Sequence, residues 1–386
     1  MPTTLYGIDL LQRDSLQPLR GLRVGVLTHL AANDSRLRTT HSLFARQAGE
    51  KFGCQVAAFF APEHGLIGSE ADGIHIATQP DPLSGLPVYS LYGEAQRPSP
   101  DMLMGLDALV CDLVDIGVRY YTFLWTLSHA IEAAGEVGLL VYVLDRPNPL
   151  GGRMVAGGGL DAGVSSLVGR YTIPILHGMT IGEAALYLNE RHNPTPAQLY
   201  IVPCAHWRRD MTHDQTGQPW IPPSPNMPNW LTALHYGGSC LLEGTNLSEG
   251  RGTALPFQIV GAPFINDPYR LADVLNAQDW PGVGFRPVFF RPTASKHAQQ
   301  VCGGVQAHIT DAARFQPLAV WLGVLAILAR AHGERIVWNA HFDRLAGGPR
   351  LRLVLESGEP LRPLLDEWQD YAANFAQARQ PYLRYD

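Results

Sequence analysis

Five short apolar runs punctuate the first half of the chain: Leu22 to Thr28, Cys54 to Phe60, Val88 to Leu91, Ala108 to Leu113 and Leu139 to Leu144. They are rich in Val and Leu and lack apolar–polar alternation. A strand without alternation has both faces covered, as happens when crossover helices lie on either side of a parallel sheet. The stretches Leu37 to Phe52 and Tyr121 to Val137 carry the helical spacing such crossovers need. The first half is therefore expected to be an α/β unit built on a parallel sheet.

Beyond the fifth run lies a Gly/Pro-rich passage, Pro147 to Gly163, followed by a helix opening near Thr180. Glu183, three residues on, completes a capping box. Five prolines between Gln218 and Pro228 permit neither a helix nor a central strand. The domain boundary is placed there, giving units 1–221 and 222–386, since 386 residues exceed one ordinary core. The second half reads as Leu271 to Ala277, strands Val283 to Arg291 and Gly304 to Thr310, an apolar helix Leu318 to Ala331 and a closing amphipathic helix Leu361 to Arg379. A smaller α+β unit fits that order.

Composition excludes several functions. With 46% hydrophobic and 17% charged residues the chain is an ordinary globular protein. Its net charge of -6 is spread out, with no dense Lys/Arg run to track phosphates, so no nucleic-acid partner is expected. The cysteines at 54, 111, 204, 240 and 302 are odd in number and set in apolar segments, which reads as buried free thiols. No apolar run reaches membrane-spanning length and Met1 to Leu11 is not a signal sequence, so no membrane partner and a cytoplasmic location are expected, with export only for a processed chain.

Ligands of open parallel sheets bind beyond the carboxyl ends of the strands. Here those ends read Pro62-Glu63-His64-Gly65, Tyr92-Gly93-Glu94, Asp112 to Asp115 followed by Arg119, and Asp145-Arg146-Pro147-Asn148-Pro149. One such carboxylate is explained by capping or solvation. Four in succession, interleaved with Arg and His, indicate a site. Glu63 and His64, held between Pro and Gly, form an acid/base pair suited to proton transfer. Arg119, Tyr120 and Tyr121 add a guanidinium for carboxylates and rings for sugar faces, although core packing explains one of the rings. In the second half, Glu243 to Gly252 sets Glu243, Asn246, Glu249 and Arg251 among glycines, as in the wall of a cleft.

Familiar cofactor motifs are missing. The turn His29 to Asn33 has no Gly-x-Gly-x-x-Gly, and no Walker loop, Gly-x-Ser-x-Gly elbow or His-Glu-x-x-His occurs. Gly157-Gly158-Gly159 can cradle an anion but is a weak signal alone. Acid/base chemistry by carboxylates remains.

These motifs, with His177-Gly178-Met179-Thr180, Pro223-Ser224-Pro225-Asn226-Met227-Pro228 and the C-terminal Tyr382-Leu383-Arg384-Tyr385, resemble the exo-β-N-acetylmuramidase family of glycoside hydrolases. The resemblance runs from Gly7-Ile8-Asp9 to the C-terminus. It implies a Rossmann-like N-terminal domain, a smaller C-terminal domain, a cleft between them, and exo-acting release of N-acetylmuramic acid from peptidoglycan fragments, a small carbohydrate substrate. No cofactor and no metal are implied. Under that reading Glu63 is the general acid with His64 beside it, Asp115 the second carboxylate and Glu249 its alternate. Arg119, Arg146 or Arg251 pairs with the lactyl carboxylate. Tyr120, Asp145, Asn148, His177, Asn226, Glu243 and Asn246 complete the substrate contacts. This chain departs from the family at Val114, usually Gln, and at Ala156, in a segment that usually carries Glu. Two alternatives stand beside the enzyme reading: a non-catalytic amino-sugar-binding protein, motivated by those departures, and a metal-dependent hydrolase using His64, Asp112 and Asp145.

Overall fold

A computed structural model describes residues 2–14, 17–67, 79–93 and 95–386. The chain forms two compact units: Met1–Met154 with His177–Pro225 and Ala376–Asp386, and Val155–Leu176 with Asn226–Phe375. Where the sequence gives one boundary, after Ile221, the chain passes between units four times.

The first unit holds seven strands: β1 Arg23–Thr28, β2 Gln55–Ala61, β3 Gln79–Pro80, β4 Pro87–Ser90, β5 Ala108–Asp112, β6 Leu140–Leu144 and β7 Gln198–Val202. Their order is β3-β4-β2-β1-β5-β6-β7, all parallel except the short edge pair β3/β4. The five runs read from sequence are β1, β2, β4, β5 and β6; β5 is buried at every position and β1 at all but its first residue, as expected, whereas β4, beside the short edge strand, is buried only at Val88. β7 was not expected. It is an edge strand whose residues are half-buried or exposed, so Leu199-Tyr200-Ile201-Val202 lacks the density of the others.

Helices α1 Gly7–Arg13, α2 Thr40–Gln47, α3 Pro100–Leu103, α4 Thr122–Val137 and α5 Ile181–Arg191 accompany the sheet. The helix expected over Leu37 to Phe52 starts later because Leu37 has left-handed backbone and the Thr39 hydroxyl caps Ser42 N–H; it ends in a π turn, Ala48–Phe52. The capping box at α5 is as expected: Thr180 Oγ1 accepts from Glu183 N–H, and Thr180 N–H donates to Glu183 Oε2.

The second unit contains β8 Ile259–Ala262, β9 Val283–Phe290 and β10 Cys302–Ile309, antiparallel in the order β8-β10-β9. Its helices are α6 Trp230–Ser239, α7 Pro268–Asn276, α8 Pro317–His332, α9 Ala340–Ala346, α10 Arg350–Ser357 and α11 Arg362–Ala378. His235 of α6 packs edge-on against Phe315 and Trp321, and Trp321 Nε1–H donates to its Nδ1. All five cysteines are free and buried. Among the described residues no helix is long and apolar enough to cross a membrane.

Candidate active site

β1 is flanked by β2 on one side and β5 on the other, so the crossovers reverse direction there. Such a switch point opens a crevice beyond the strand ends, because the loops leaving the two strands diverge. An open depression lies at that place, lined by Asn33 after β1, Val114 and Asp115 after β5, Arg146 after β6, and His213 and Trp220 from the later loop.

Asp115 is the least settled group in it. Oδ2 accepts from Gly117 N–H at 2.7 Å, whereas Oδ1 is buried with no hydrogen-bond partner. Burial pushes the carboxyl up to about 7, against the backbone amides of Gly117 and Ile116. His177 Nε2 lies 3.8 Å from Oδ2. Its Nδ1 accepts from Met179 N–H, which leaves the proton of the neutral ring on Nε2, also buried and unpartnered. Burial, with Arg379 nearby, holds His177 neutral, down to about 3.

Glu63 and His64 stand at the end of β2 in a tight turn closed by Gly65 N–H on Pro62 O. His64 is buried and takes left-handed backbone, φ 69°, at the turn position where glycine is usual. Thr122, the first residue of α4, donates its hydroxyl to Glu63 Oε2 at 2.8 Å and so orients that carboxylate. His29, just after β1, accepts Val114 N–H on Nε2 and is neutral, pushed down to about 3 by burial and the nearby Arg146 and His64. Sequence reasoning passed over His29, a lone histidine with no motif around it.

The carboxylates of β5 and β6 are already occupied. Arg146 grips Asp112 with Nε at 2.5 Å and Nη2 at 2.9 Å, and Nη2 also reaches Asn33 O. Thr40 Oγ1 donates to Asp112 as well. Asp145 accepts from Arg146 N–H, Gly182 N–H, Thr180 Oγ1–H and Tyr385 O–H, and burial still pushes it up to about 6. Asp145 has all four lone pairs taken and Asp112 three, and both are fully buried, so the metal-site reading is not favoured at these two ligands. Asn148 is likewise structural: it donates to Met179 O, accepts from Leu150 N–H and packs against Gly117. Arg119 is fully buried and Tyr120 is 1% exposed, leaving almost no ring surface to stack on a sugar. Trp220 is the half-buried ring of the depression, steadied edge-on by His213 at 4.9 Å. A lone tryptophan among prolines was its only signal. Glu94 lies outside the described residues.

The remaining expected residues lie in the second unit. Arg251 bridges Glu243 at 2.7 Å and Glu249 at 3.3 Å, and Lys296 pairs with Glu249 at 2.8 Å while donating to Leu242 O and Leu247 O. Burial alone would raise Glu243, but Arg251 and His341 hold it down at about 2. Asn246 clamps Arg335 O and Val337 N–H. Asn226 is half-buried at the start of this unit. Lys296 and His341 were missed because both are distant in sequence from the acids they meet.

Two family models match: exo-beta-N-acetylmuramidase NamZ, N-terminal, over residues 24–231, and exo-beta-N-acetylmuramidase NamZ, C-terminal, over residues 234–385. The peptidoglycan beta-N-acetylmuramidase NamZ of Bacillus subtilis (strain 168) is 38% identical over 386 residues, covering 100% of this chain and 92% of that protein. Crystal structures of two DUF1343 family proteins of Bacteroides fragilis NCTC 9343 are similar at TM-scores of 0.92 and 0.80, with 33% and 27% identity, each covering 100% of this chain and 99% of the other.

Proposed function

We infer, from the chain's belonging to the exo-beta-N-acetylmuramidase NamZ family and from the state of Asp115, that it is a glycosidase releasing N-acetylmuramic acid from the non-reducing end of peptidoglycan fragments. The observation that carries the mechanism is Asp115 itself, buried at the switch point with Oδ1 unpaired and its carboxyl pushed up to about 7. A carboxyl that keeps its proton near neutrality can pass it to a glycosidic oxygen. Asp115 is therefore assigned as the proton donor and Glu63 as the second carboxylate, the reverse of the order expected from sequence.

In this scheme the C–O bond to the leaving sugar breaks as Asp115 protonates its oxygen, and positive charge develops at the anomeric carbon. Water supplies the hydroxyl that ends there, and the proton it loses restores the acid. Arg146 lines the depression and leaves Nη1 without a partner among the described residues, which suits the lactyl carboxylate of a muramic-type sugar. Trp220 supplies the ring for the sugar face.

The test compares Asp115→Asn and Glu63→Gln on aryl N-acetylmuraminides with good and poor leaving groups. Loss of the acid is expected to cost orders of magnitude on the poor leaving group and far less on a nitrophenyl one, which needs little protonation. Loss of Glu63 is expected to cost both alike. Near wild-type turnover by Asp115→Asn on both substrates overturns the assignment. A protein that binds a muramyl disaccharide but releases no product after long incubation is a binding protein instead.

A further inference from the structure

A second hollow lies wholly within the second unit and takes no part in the chemistry above. It measures about 250 Å³, a little under the roughly 300 Å³ at which small-molecule sites begin. Its walls come from the Gly158–Asp161 segment, the start of α10 and one face of α11. Gly158 and Gly159 were singled out by sequence and left without a role.

Those glycines lie against α11 so closely that a Cβ at Gly158 would overlap the indole of Trp368, and one at Gly159 the phenol of Tyr371. Trp368 and Tyr371 are three residues apart on α11 and so share a face. Both rings remain half-buried and line the hollow.

Hydrogen-bonding capacity is left over around it. Thr172 Oγ1 accepts from Leu160 N–H at 3.0 Å and shares one hydrogen bond of 3.0 Å with Tyr371 Oη. Two hydroxyl protons serve that single bond, so one proton stays available whichever group donates. The first amides of α10 have no side-chain cap. The Asp161 carboxylate, exposed beside Gly348, accepts no hydrogen bond among the described residues. Arg350 and Glu367 pair at the edge, with 2.7 Å between Nη2 and Oε1. Donors, acceptors and aromatic surface are thus mixed, with two carboxylates to one guanidinium.

That charge balance disfavours an anion. We propose that this hollow is a second saccharide-binding site, taking a neutral pyranose such as a 2-acetamido sugar, whose hydroxyls both donate and accept and whose apolar face suits an aromatic wall. It is separate from the Asp115 depression and stands whether or not hydrolysis occurs there.

The experiment titrates the full chain with N,N′,N″-triacetylchitotriose, followed by calorimetry. The titration is repeated for Asp161→Ala, Tyr371→Phe and Asp115→Asn, with turnover of a small aryl muraminide measured alongside. Asp161 is exposed, and the phenol-to-phenyl change keeps the ring packed on Gly159, so neither variant threatens the fold. The proposal expects each of these two to weaken binding fivefold or more and to leave turnover of the small substrate unchanged, while Asp115→Asn leaves binding intact. No binding by the wild type overturns it, as does binding that Asp115→Asn abolishes and the other two leave unchanged. Loss of turnover in Asp115→Asn is the separate test of the hydrolase reading.

Discussion

Asp115 and Trp220 are the two residues on which the proposed reading most depends. Asp115 can serve as an acid because burial holds its proton up to about 7, and the same burial sets a limb in the pH profile. Turnover on a poor leaving group is expected to fall as pH rises through about 7 in the wild type, and Asp115→Asn should flatten that limb. A limb of unchanged position in the variant would assign it to another group. Trp220 should act on binding alone. Trp220→Ala removes a ring of the depression without touching either carboxylate, and stacking of this kind is worth about 1 kcal/mol, so KM should rise several-fold with kcat little changed. An equal fall in kcat would place the indole in the chemistry. The sequence made Asp115 and Glu63 legible because acids that end strands are visible as such. It favoured Tyr120 over Trp220 because ring content is readable and burial is not: Tyr120 is packed beneath the rim, while Trp220 reaches it through a proline-rich loop.

At the level of elements, Asp145 joins parts of the first unit that are far apart in sequence. Its four bonds tie the end of β6 to the start of α5 and to the C-terminal segment through Tyr385, whose Oη also accepts Cys204 N–H at 2.9 Å. Tyr385→Phe would leave the Cys204 amide and one carboxylate lone pair without a partner, at a cost of about 2 kcal/mol. Urea unfolding should show that loss with turnover largely kept. A change below about 0.5 kcal/mol would mean that water replaces the hydroxyl. Five strands and the α5 capping box were legible because short apolar runs and local capping both leave marks on contiguous residues. The hub at Asp145 was not, since Tyr385 lies 240 residues away and only the folded chain brings its hydroxyl to 2.6 Å. For the same reason Asp145 and Asn148 looked like substrate contacts. A polar residue after a strand reads alike whether its partner is a ligand or the next helix.

Across the whole molecule, buried ionisable groups pull stability in opposite directions as pH changes. His29, His177 and His235 are each pushed down to about 3 by burial, from the usual 6.5, so unfolding lets them bind protons and costs stability as pH falls below 6.5. Asp115 and Asp145 behave oppositely. Pushed up to about 7 and about 6, they hold protons in the folded state that the unfolded chain has released above 3.8, so their contribution is full at low pH and lost as pH rises. Between about pH 4 and 6, then, these three histidines each gain a proton on unfolding and the two aspartates each lose one, while His192, His213, His308 and His332, also lowered by burial, add to the uptake. Stability should therefore fall on acidification through that range, and fall further as carboxylates such as Glu243, held at about 2 by Arg251 and His341 against burial, are protonated. Asp115→Asn removes one of the compensating protons. The variant should therefore be more stable than the wild type at pH 8 and equal to it near pH 4, its slope between about pH 4 and 7 being steeper than the wild type's by one proton, about 1.4 kcal/mol per pH unit. Denaturation midpoints measured from pH 4 to pH 8 read that slope directly. Parallel curves for the two proteins would show that Asp115 is ionised throughout the range, and would remove the proton that the proposed glycosidic step requires.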